Sequence, residues 1–283
     1  MNLSGRISNR SVGQFDPINW LKEGDGLLAS AKVVREKWTD LRQTFSKSTP
    51  NSMSEKRHLT PNWNLLTGLP RSSMLLLGYS VEMYLKAGLT KAYYGCSIEM
   101  FERDVKRFGH NLFSLAKEIH FDFKNGDADN FDGLKKMVLV DARYPVLVPE
   151  GQSYSDVVNQ RTRRIWSIEN FDDFYALAER VREHVRAIDC DSNNSAIRHS
   201  WQVDQDGYLA FRVGGRLPPR ITYRLSSVQV GAGSTSLDDM KPLFPSNDYI
   251  LLNHYWGSAW IYEDCVKTET RKAETVRKIP LQE

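Results

Sequence analysis

A glutamate and a lysine four residues apart, Glu82 and Lys86, lie in the most apolar stretch of the chain that still carries charge. Residues at this spacing share one face of a helix, so the two side chains can form an ion pair. One interpretation is a pair at the edge of a buried face, because Lys and Glu are rarely buried alone. The other is a carboxylate held in a low-dielectric groove, where it can serve acid–base chemistry.

A second candidate site is the basic run Arg161, Arg163 and Arg164 beside Trp166. Guanidinium groups bind phosphates and an indole ring stacks on bases, so these residue types suit an RNA-binding surface. The alternative is a solvated loop without a ligand. The same choice, between a base-stacking platform and packing within a sheet, applies to the aromatic residues near the C-terminus. These are Tyr249, Tyr255, Trp256, Trp260 and Tyr262.

Composition excludes few classes of function. The 283 residues carry a formal net charge of +3, which is compatible with nucleic acid but is not evidence for it. The three cysteines lie far apart without a C-x-x-C pair, so neither a zinc site nor a disulfide framework is indicated. No glycine-rich nucleotide-binding motif occurs, and we expect no metal and no cofactor. The polar N-terminus lacks the apolar core of a signal peptide, which favours a cytoplasmic protein without membrane contact.

The element that must position Glu82 and Lys86 is predicted to be a helix over Arg71–Lys91. Pro70 stands where a helix typically begins. Apolar residues cover nearly the whole circumference of this stretch, and a helix of that kind is normally buried. The residues before it, Ser46–Leu69, are rich in turn-forming residues and are predicted to be a connector.

The rest of the chain divides by the period of its apolar residues. Residues 1–15 are expected to be a polar tail, and residues 16–190 a helical domain with helical apolar spacing. A second connector is expected at 146–169. Residues 189–195 are turn-rich and form the best domain boundary. From 197 to 283, short alternating stretches predict four or five antiparallel strands. The expected fold class is therefore α+β, an all-α bundle followed by a small β-rich domain.

Three motifs in order, GYSVEMYLKAGL (Gly78–Leu89), GHNLFSLAKEI (Gly109–Ile119) and ARYP (Ala142–Pro145), resemble the HEPN superfamily of helical domains. The resemblance covers about residues 19–188 and none of the C-terminal third. It implies a HEPN-like helical bundle that pairs as a homodimer. It also implies a toxin–antitoxin or phage-defence setting, with RNA or a protein as partner. That protein would be a nucleotidyltransferase-type antitoxin or another defence component.

Many HEPN proteins that cut RNA use an arginine and a histidine separated by four to six residues. Here Arg103 and His110, with six residues between them, fit that spacing. The resemblance implies that the histidine moves the 2′-hydroxyl proton while the arginine holds the phosphate. Arg143 is a second candidate for the arginine, but no histidine follows it in YPVLVPEG. Glu82 completes the set of catalytic candidates.

Each of these residues also has a structural interpretation. His110 can be a turn histidine whose ring bonds a helix end, and Arg143 can pair with a carboxylate such as Glu82. Because the family's motif is not intact, the first expectation is an accessory protein acting on or with RNA or a protein partner. A metal-independent endoribonuclease and a structural protein-interaction module are the two alternatives.

Overall fold

Helix-forming and strand-forming stretches separate along the chain near residue 190, as the change in apolar period predicts. The computed structural model describes residues 5–47, 53–143, 148, 150–266 and 273–278. The described part has mainly helices before this point and a five-stranded, mostly antiparallel sheet after it. The predicted α+β class is therefore confirmed.

The helices before the sheet are α1 (Pro17–Lys47), α2 (Met53–Ala92), α3 (Ile98–Phe108), α4 (Leu112–Glu118), α5 (Asp127–Lys136), α6 (Tyr154–Trp166) and α7 (Ile168–Ala187). A 3₁₀ turn at Gly13–Phe15 precedes α1, and a π-helical segment at Met137–Asp141 continues α5. The strands are β1 (Ile197–Val203), β2 (Gly207–Gly214), β3 (Leu217–Arg224), β4 (Trp260–Cys265) and β5 (Glu274–Lys278). Helices α8 (Ser227–Gly231) and α9 (Ile250–His254) and a 3₁₀ helix at Leu237–Leu243 lie between β3 and β4.

By contacts the chain forms two units. The helical unit comprises Ile18–Lys86 and His110–Val185. The sheet unit comprises Met1–Pro17, Ala87–Gly109 and Arg186–Glu283. The two domains expected from the sequence, 16–190 and 197–283, stay a prediction.

The core of the helical unit is the middle of α2, as its all-round apolar composition predicts. Several of its side chains are completely buried, including Met74, Leu77, Val81, Tyr84 and Leu85. Gly78 lies against the π-helical segment, where an added Cβ would come within 2.4 Å of the Val138 side chain. A glycine at this point of α2 therefore permits the close approach of the neighbouring helix.

The predicted connector at Ser46–Leu69 is wrong from Met53 onward, because α2 already begins there and runs through Pro70. Residues 48–52 of that connector lie outside the described residues. A proline inside a helix has no N–H, so the carbonyl four residues earlier loses its helical donor. Here that carbonyl belongs to Leu66, and it accepts a hydrogen bond of 3.0 Å from the indole Nε1 of Trp38. A donor from α1 thus replaces the missing N–H and lets the helix continue.

The second predicted connector, 146–169, contains α6 in its described part. This helix spans Tyr154–Trp166, so the basic run lies on a helix and not on a loop. Within the region where alternation predicts strands, Val228 and Val230 belong to α8 and not to a strand. Ser226 and Gln229 form a reciprocal capping box there, and this local hydrogen bonding favours a helix start over a strand.

The sheet has the order β1-β2-β3-β4-β5. All neighbouring pairs are antiparallel except β3 and β4, which are parallel. A parallel pair needs a long crossover connection, and α8, the 3₁₀ helix and α9 form it. Those connecting elements pack on one face of the sheet, and their side chains form an apolar core together with those of the strands. That core includes Leu209, Phe211, Ile221, Tyr223, Met240 and Trp256.

Candidate functional site

The middle of α2 and the turn before α4 position the candidate catalytic residues of the helical unit. Glu82 lies on α2 and is only 2% exposed. His110 follows Gly109, whose φ of 52° falls in a region that L side chains rarely adopt. Asn111 then caps α4 by accepting a hydrogen bond from the Ser114 N–H. The turn and the cap together set the direction in which the His110 ring leaves the backbone.

Glu82, Lys86 and His110 form one connected group. The Oε1 atom of Glu82 accepts a hydrogen bond of 2.7 Å from the Lys86 Nζ. Its Oε2 atom lies 2.8 Å from the His110 Nδ1. The predicted pairing of Glu82 with Lys86 is therefore confirmed, and the histidine is a second partner on the other oxygen. The Trp20 ring lies beside the lysine, with its centroid 5.4 Å from Nζ.

The geometry defines the chemistry available to His110. An ionised carboxylate can only accept hydrogen bonds, so an ionised Glu82 pairs with the form of His110 that carries its hydrogen on Nδ1. In the neutral ring this leaves a lone pair on Nε2. The Glu82 side chain is 3% exposed, whereas that of His110 is 36% exposed. The arrangement is thus a buried carboxylate that orients a histidine open to solvent, which is the geometry of a general base with an orienting acid.

Arg103 has partners in the sheet unit. Its Nη2 lies 2.8 Å from Asp264 Oδ1 and 2.9 Å from the Thr275 hydroxyl. The Asp264 side chain is completely buried. This arginine therefore has a structural role within its own unit, and the sequence offered no sign of it because Asp264 is 161 residues away.

Arg143 is exposed and lies on the turn after the π-helical segment. The remainder of its motif, Tyr144 and Pro145, lies outside the described residues. The expected pairing of Arg143 with Glu82 stays a prediction.

The three arginines of the basic run and the neighbouring Trp166 have different environments on α6. Arg161 is buried and Arg163 is exposed. Arg164 forms an ion pair of 2.9 Å with Asp141, a residue that no pattern in the sequence indicates. Trp166 packs edge-on against Trp38, with 5.8 Å between the ring centroids. The run is thus divided between the helix surface and contacts inside the helical unit.

The C-terminal aromatic residues fit the packing interpretation better than the stacking platform. Trp256 is 6% exposed and belongs to the core of the sheet unit, and Tyr262 is 2% exposed. The guanidinium carbon of Arg220 lies over the Tyr262 ring, 3.6 Å from the ring centroid. Tyr249 and Tyr255 are partly buried against the same core. Rings held in this way cannot offer both faces to a base.

Across the ranges that the structure describes, no three side chains of His, Cys, Asp or Glu gather as a metal-binding group. In the same ranges no helix is long and apolar enough to cross a membrane. Comparisons of the chain with protein-family models, with curated proteins and with solved structures found no match. We therefore infer a function from the geometry of the residues and from the motifs that resemble the HEPN superfamily.

Proposed function

We propose that this chain is a HEPN-like protein that acts on RNA, and that its reaction is metal-independent cleavage of the phosphodiester backbone. The observation that carries the proposal is the 2.8 Å contact between Glu82 and His110, with the histidine ring partly open to solvent. A histidine oriented by a buried carboxylate is suited to move a proton without a metal ion.

In the proposed reaction the Nε2 of His110 accepts the proton of a ribose 2′-hydroxyl. The 2′-oxygen attacks the adjacent phosphorus, and the bond from phosphorus to the 5′-oxygen breaks. A solvent water gives a proton to the leaving 5′-oxygen, and the proton on His110 Nε2 returns to solvent, so that a 2′,3′-cyclic phosphate and a new 5′-hydroxyl result. Glu82 holds the ring in the required tautomer and supports the positive charge that develops on it. Arg143, the second arginine candidate from the resemblance and an exposed residue, is the proposed phosphate-holding arginine.

The biological setting that we propose is that implied by the resemblance. It is a toxin–antitoxin or phage-defence system in which the chain acts as a homodimer. A protein partner, such as a nucleotidyltransferase-type antitoxin, would control access to RNA.

The test is incubation of the purified chain with total cellular RNA in EDTA. His110→Asn removes the proton acceptor, while its amide can still donate to Glu82 at the position of Nδ1. We expect this variant to lose at least about 100-fold in cleavage rate, the usual contribution of a general base. The matched control is His184→Asn, which changes another histidine of the helical unit, one whose Nε2 contacts the Ile119 carbonyl. Undiminished cleavage by folded His110→Asn would refute the proposal.

A second candidate, a binding module without chemistry, is favoured by the structural engagement of Arg103. Arg103 is the arginine that fits the HEPN spacing, and its ion pair with a fully buried aspartate engages the group that would hold a phosphate. In that case the wild-type chain leaves RNA intact but retains it in a pull-down. His110→Asn then changes the free energy of unfolding and leaves RNA retention unchanged. Cleavage that persists in EDTA and is abolished in His110→Asn would contradict this candidate.

A further inference from the structure

A groove of about 480 Å³ opens on the sheet unit, where the end of β1 meets α8 and the following 3₁₀ helix. Trp201 and Val203 of β1 line it, together with Val228 of α8 and with Leu243 and Phe244 at the end of the 3₁₀ helix. All of its lining residues belong to the sheet unit. The volume is within the range of roughly 300–1,000 Å³ that is typical of ligand-binding pockets. The size therefore permits a ligand, and the chemistry of the lining selects its class.

The apolar part of the groove has a fixed floor and an open rim. The Trp201 ring packs edge-on against the rings of Phe244 and Tyr249, with 5.4 and 5.5 Å between the centroids. The rings of Phe244 and Tyr249 are themselves 5.1 Å apart, so each ring is held by the other two. At the rim, Val228 is 63% exposed and Leu243 is 50% exposed. Exposed apolar side chains around a rigid aromatic floor are typical of a surface that binds a partner.

The polar part of the groove is acidic. Asp204 and Asp239 line it, and none of the lining residues that the structure describes is Lys, Arg or His. Asp239 Oδ2 accepts hydrogen bonds of 2.7 and 2.9 Å from the N–H groups of Thr235 and Ser236, and these bonds lower the pKa of Asp239 below its ordinary value of 3.8. Asp204 Oδ2 accepts a hydrogen bond from the Ser226 hydroxyl. Both aspartates are exposed, so a cation on a ligand can reach their carboxylates.

Two reciprocal capping boxes fix the walls of the groove. Ser226 and Gln229 form one at the start of α8, and Ser236 and Asp239 form the other at the start of the 3₁₀ helix. Gln229 and Asp239 both line the groove. A site whose walls are already ordered loses little conformational entropy when a ligand binds. The groove is therefore preorganised for a ligand that carries both apolar groups and positive charge.

This combination favours a peptide over a nucleic acid. Carboxylates without a lining cation repel backbone phosphates, whereas they attract lysine and arginine. The aromatic floor and the exposed rim can bury an apolar side chain. We propose that the groove docks a short segment of a protein partner, with one bulky apolar side chain on the aromatic floor and a lysine or arginine at Asp204 and Asp239. The inference goes beyond the proposed cleavage and does not rest on it, because the lining residues all lie outside the helical unit.

The probe is a phage-displayed library of random peptides of about twelve residues, long enough to cross the groove in extended form. The library is selected against the full chain, and enriched peptides are synthesised and titrated by isothermal calorimetry. We expect peptides that combine an apolar residue with a basic one and bind with a Kd of roughly 1–100 µM. No enrichment, or enriched peptides without a basic residue, would overturn the proposal.

Val228→Ser and Val230→Ser test the apolar part as a matched pair on α8. The two valines are 63% and 56% exposed, and of the two it is Val228 that lines the groove. We expect Val228→Ser to weaken binding of a selected peptide roughly tenfold, because an apolar contact is lost. Val230→Ser should change it less than about twofold. Equal binding by the two variants would overturn the docking site.

Asp204→Asn and Asp206→Asn test the acidic part in the same way. Both aspartates lie in the turn between β1 and β2, but Asp206 bonds the Ser227 N–H and is not among the lining residues. An asparagine at 204 can still accept the hydrogen bond from Ser226, so the change removes the charge and keeps the shape. We expect Asp204→Asn to weaken binding roughly threefold to fivefold and Asp206→Asn less than twofold. Equal losses would mean general electrostatic attraction and would contradict the site.

Other occupants of the groove give different results. Displacement of the peptide by oligouridine would identify a nucleic-acid surface and overturn the proposal. A second copy of the chain in the groove would make Val228→Ser, but not Val230→Ser, change the mass measured by light scattering, which would also overturn it. Far-UV circular dichroism checks that every variant is folded. His110→Asn should bind the selected peptides as the wild type does, so this proposal and the proposed cleavage can fail independently.

Discussion

The indole of Trp38 is predicted to stabilise α2 by replacing the N–H that Pro70 lacks. Trp38 is completely buried, and its Nε1 donates a 3.0 Å hydrogen bond to the Leu66 carbonyl, four residues before the proline. Leu66 is itself 5% exposed, so water cannot easily take the place of the indole. Trp38→Phe should therefore leave a buried carbonyl without that donor, at a cost of about 1–3 kcal/mol, in addition to the cost of the smaller ring.

The two costs can be separated with Pro70→Ala. Alanine restores an N–H at position 70, which can bond the Leu66 carbonyl as in an ordinary helix. The loss of ring volume in Trp38→Phe is the same whether proline or alanine is present. The cost of the unsatisfied carbonyl applies only when proline is present. The free energy lost through Trp38→Phe should consequently be smaller by about 1–3 kcal/mol in the Pro70→Ala background.

The assay is urea unfolding followed by far-UV circular dichroism on the wild type, both single variants and the double variant. Trp166→Phe is the control, because this residue packs edge-on against Trp38. Its cost should not depend on the residue at position 70. Equal costs of Trp38→Phe in the two backgrounds would refute the replacement of the proline donor.

Two further predictions concern buried carboxylates. Asp264 has a fully buried side chain that pairs with both Arg103 and Arg224. Its substitution by Asn should cost the protein about 3–5 kcal/mol of stability, because both arginines lose a buried carboxylate partner. Urea unfolding of Asp264→Asn measures this, and a loss below about 1 kcal/mol would contradict it. Burial alone would raise the pKa of Asp127, but hydrogen bonds from Arg180 and the Lys124 N–H outweigh it and lower this pKa below its ordinary value of 3.8. The ionised Asp127 therefore stabilises the fold fully above pH 3.8, and this stabilisation is lost as the pH falls through the lowered pKa. The stability advantage of wild type over Asp127→Asn should consequently shrink below about pH 4. An advantage that grows on acidification would contradict this.

The features predicted correctly from the sequence are those that nearby residues determine. The all-round apolar composition of Arg71–Lys91 predicts a buried helix, and the spacing of Glu82 and Lys86 predicts their ion pair. The α+β class follows from the change in apolar period near residue 190. Each depends on residues within a few turns of a helix or within one strand, where periodicity is a direct consequence of backbone geometry.

The errors occur where distant residues decide the structure. Pro70 predicts a helix start by local rules, but a donor 28 residues from Leu66 makes an interior proline tolerable. The parallel pairing of β3 with β4 depends on a crossover of three short elements, and no periodicity within a strand carries that information. In the same way, Arg103 has the spacing to His110 that the family's motif requires, whereas its partner Asp264 comes from the other end of the chain.

The candidate site could be predicted in part from nearby residues, and the rest of it depends on a distant one. A buried carboxylate has two oxygens, and Lys86 binds only one of them, so the burial of Glu82 in the structure calls for a second donor. From the sequence, Arg143 is the expected partner of Glu82, and a helix end is the expected partner of the His110 ring. The structure places His110 there, 28 residues away, with Nδ1 on the buried carboxylate. A structural role needs only the Nδ1 contact, whereas catalysis also needs the lone pair on Nε2. His110→Asn keeps a donor at the first position and removes the second, and for this reason it distinguishes the two roles where alanine would not.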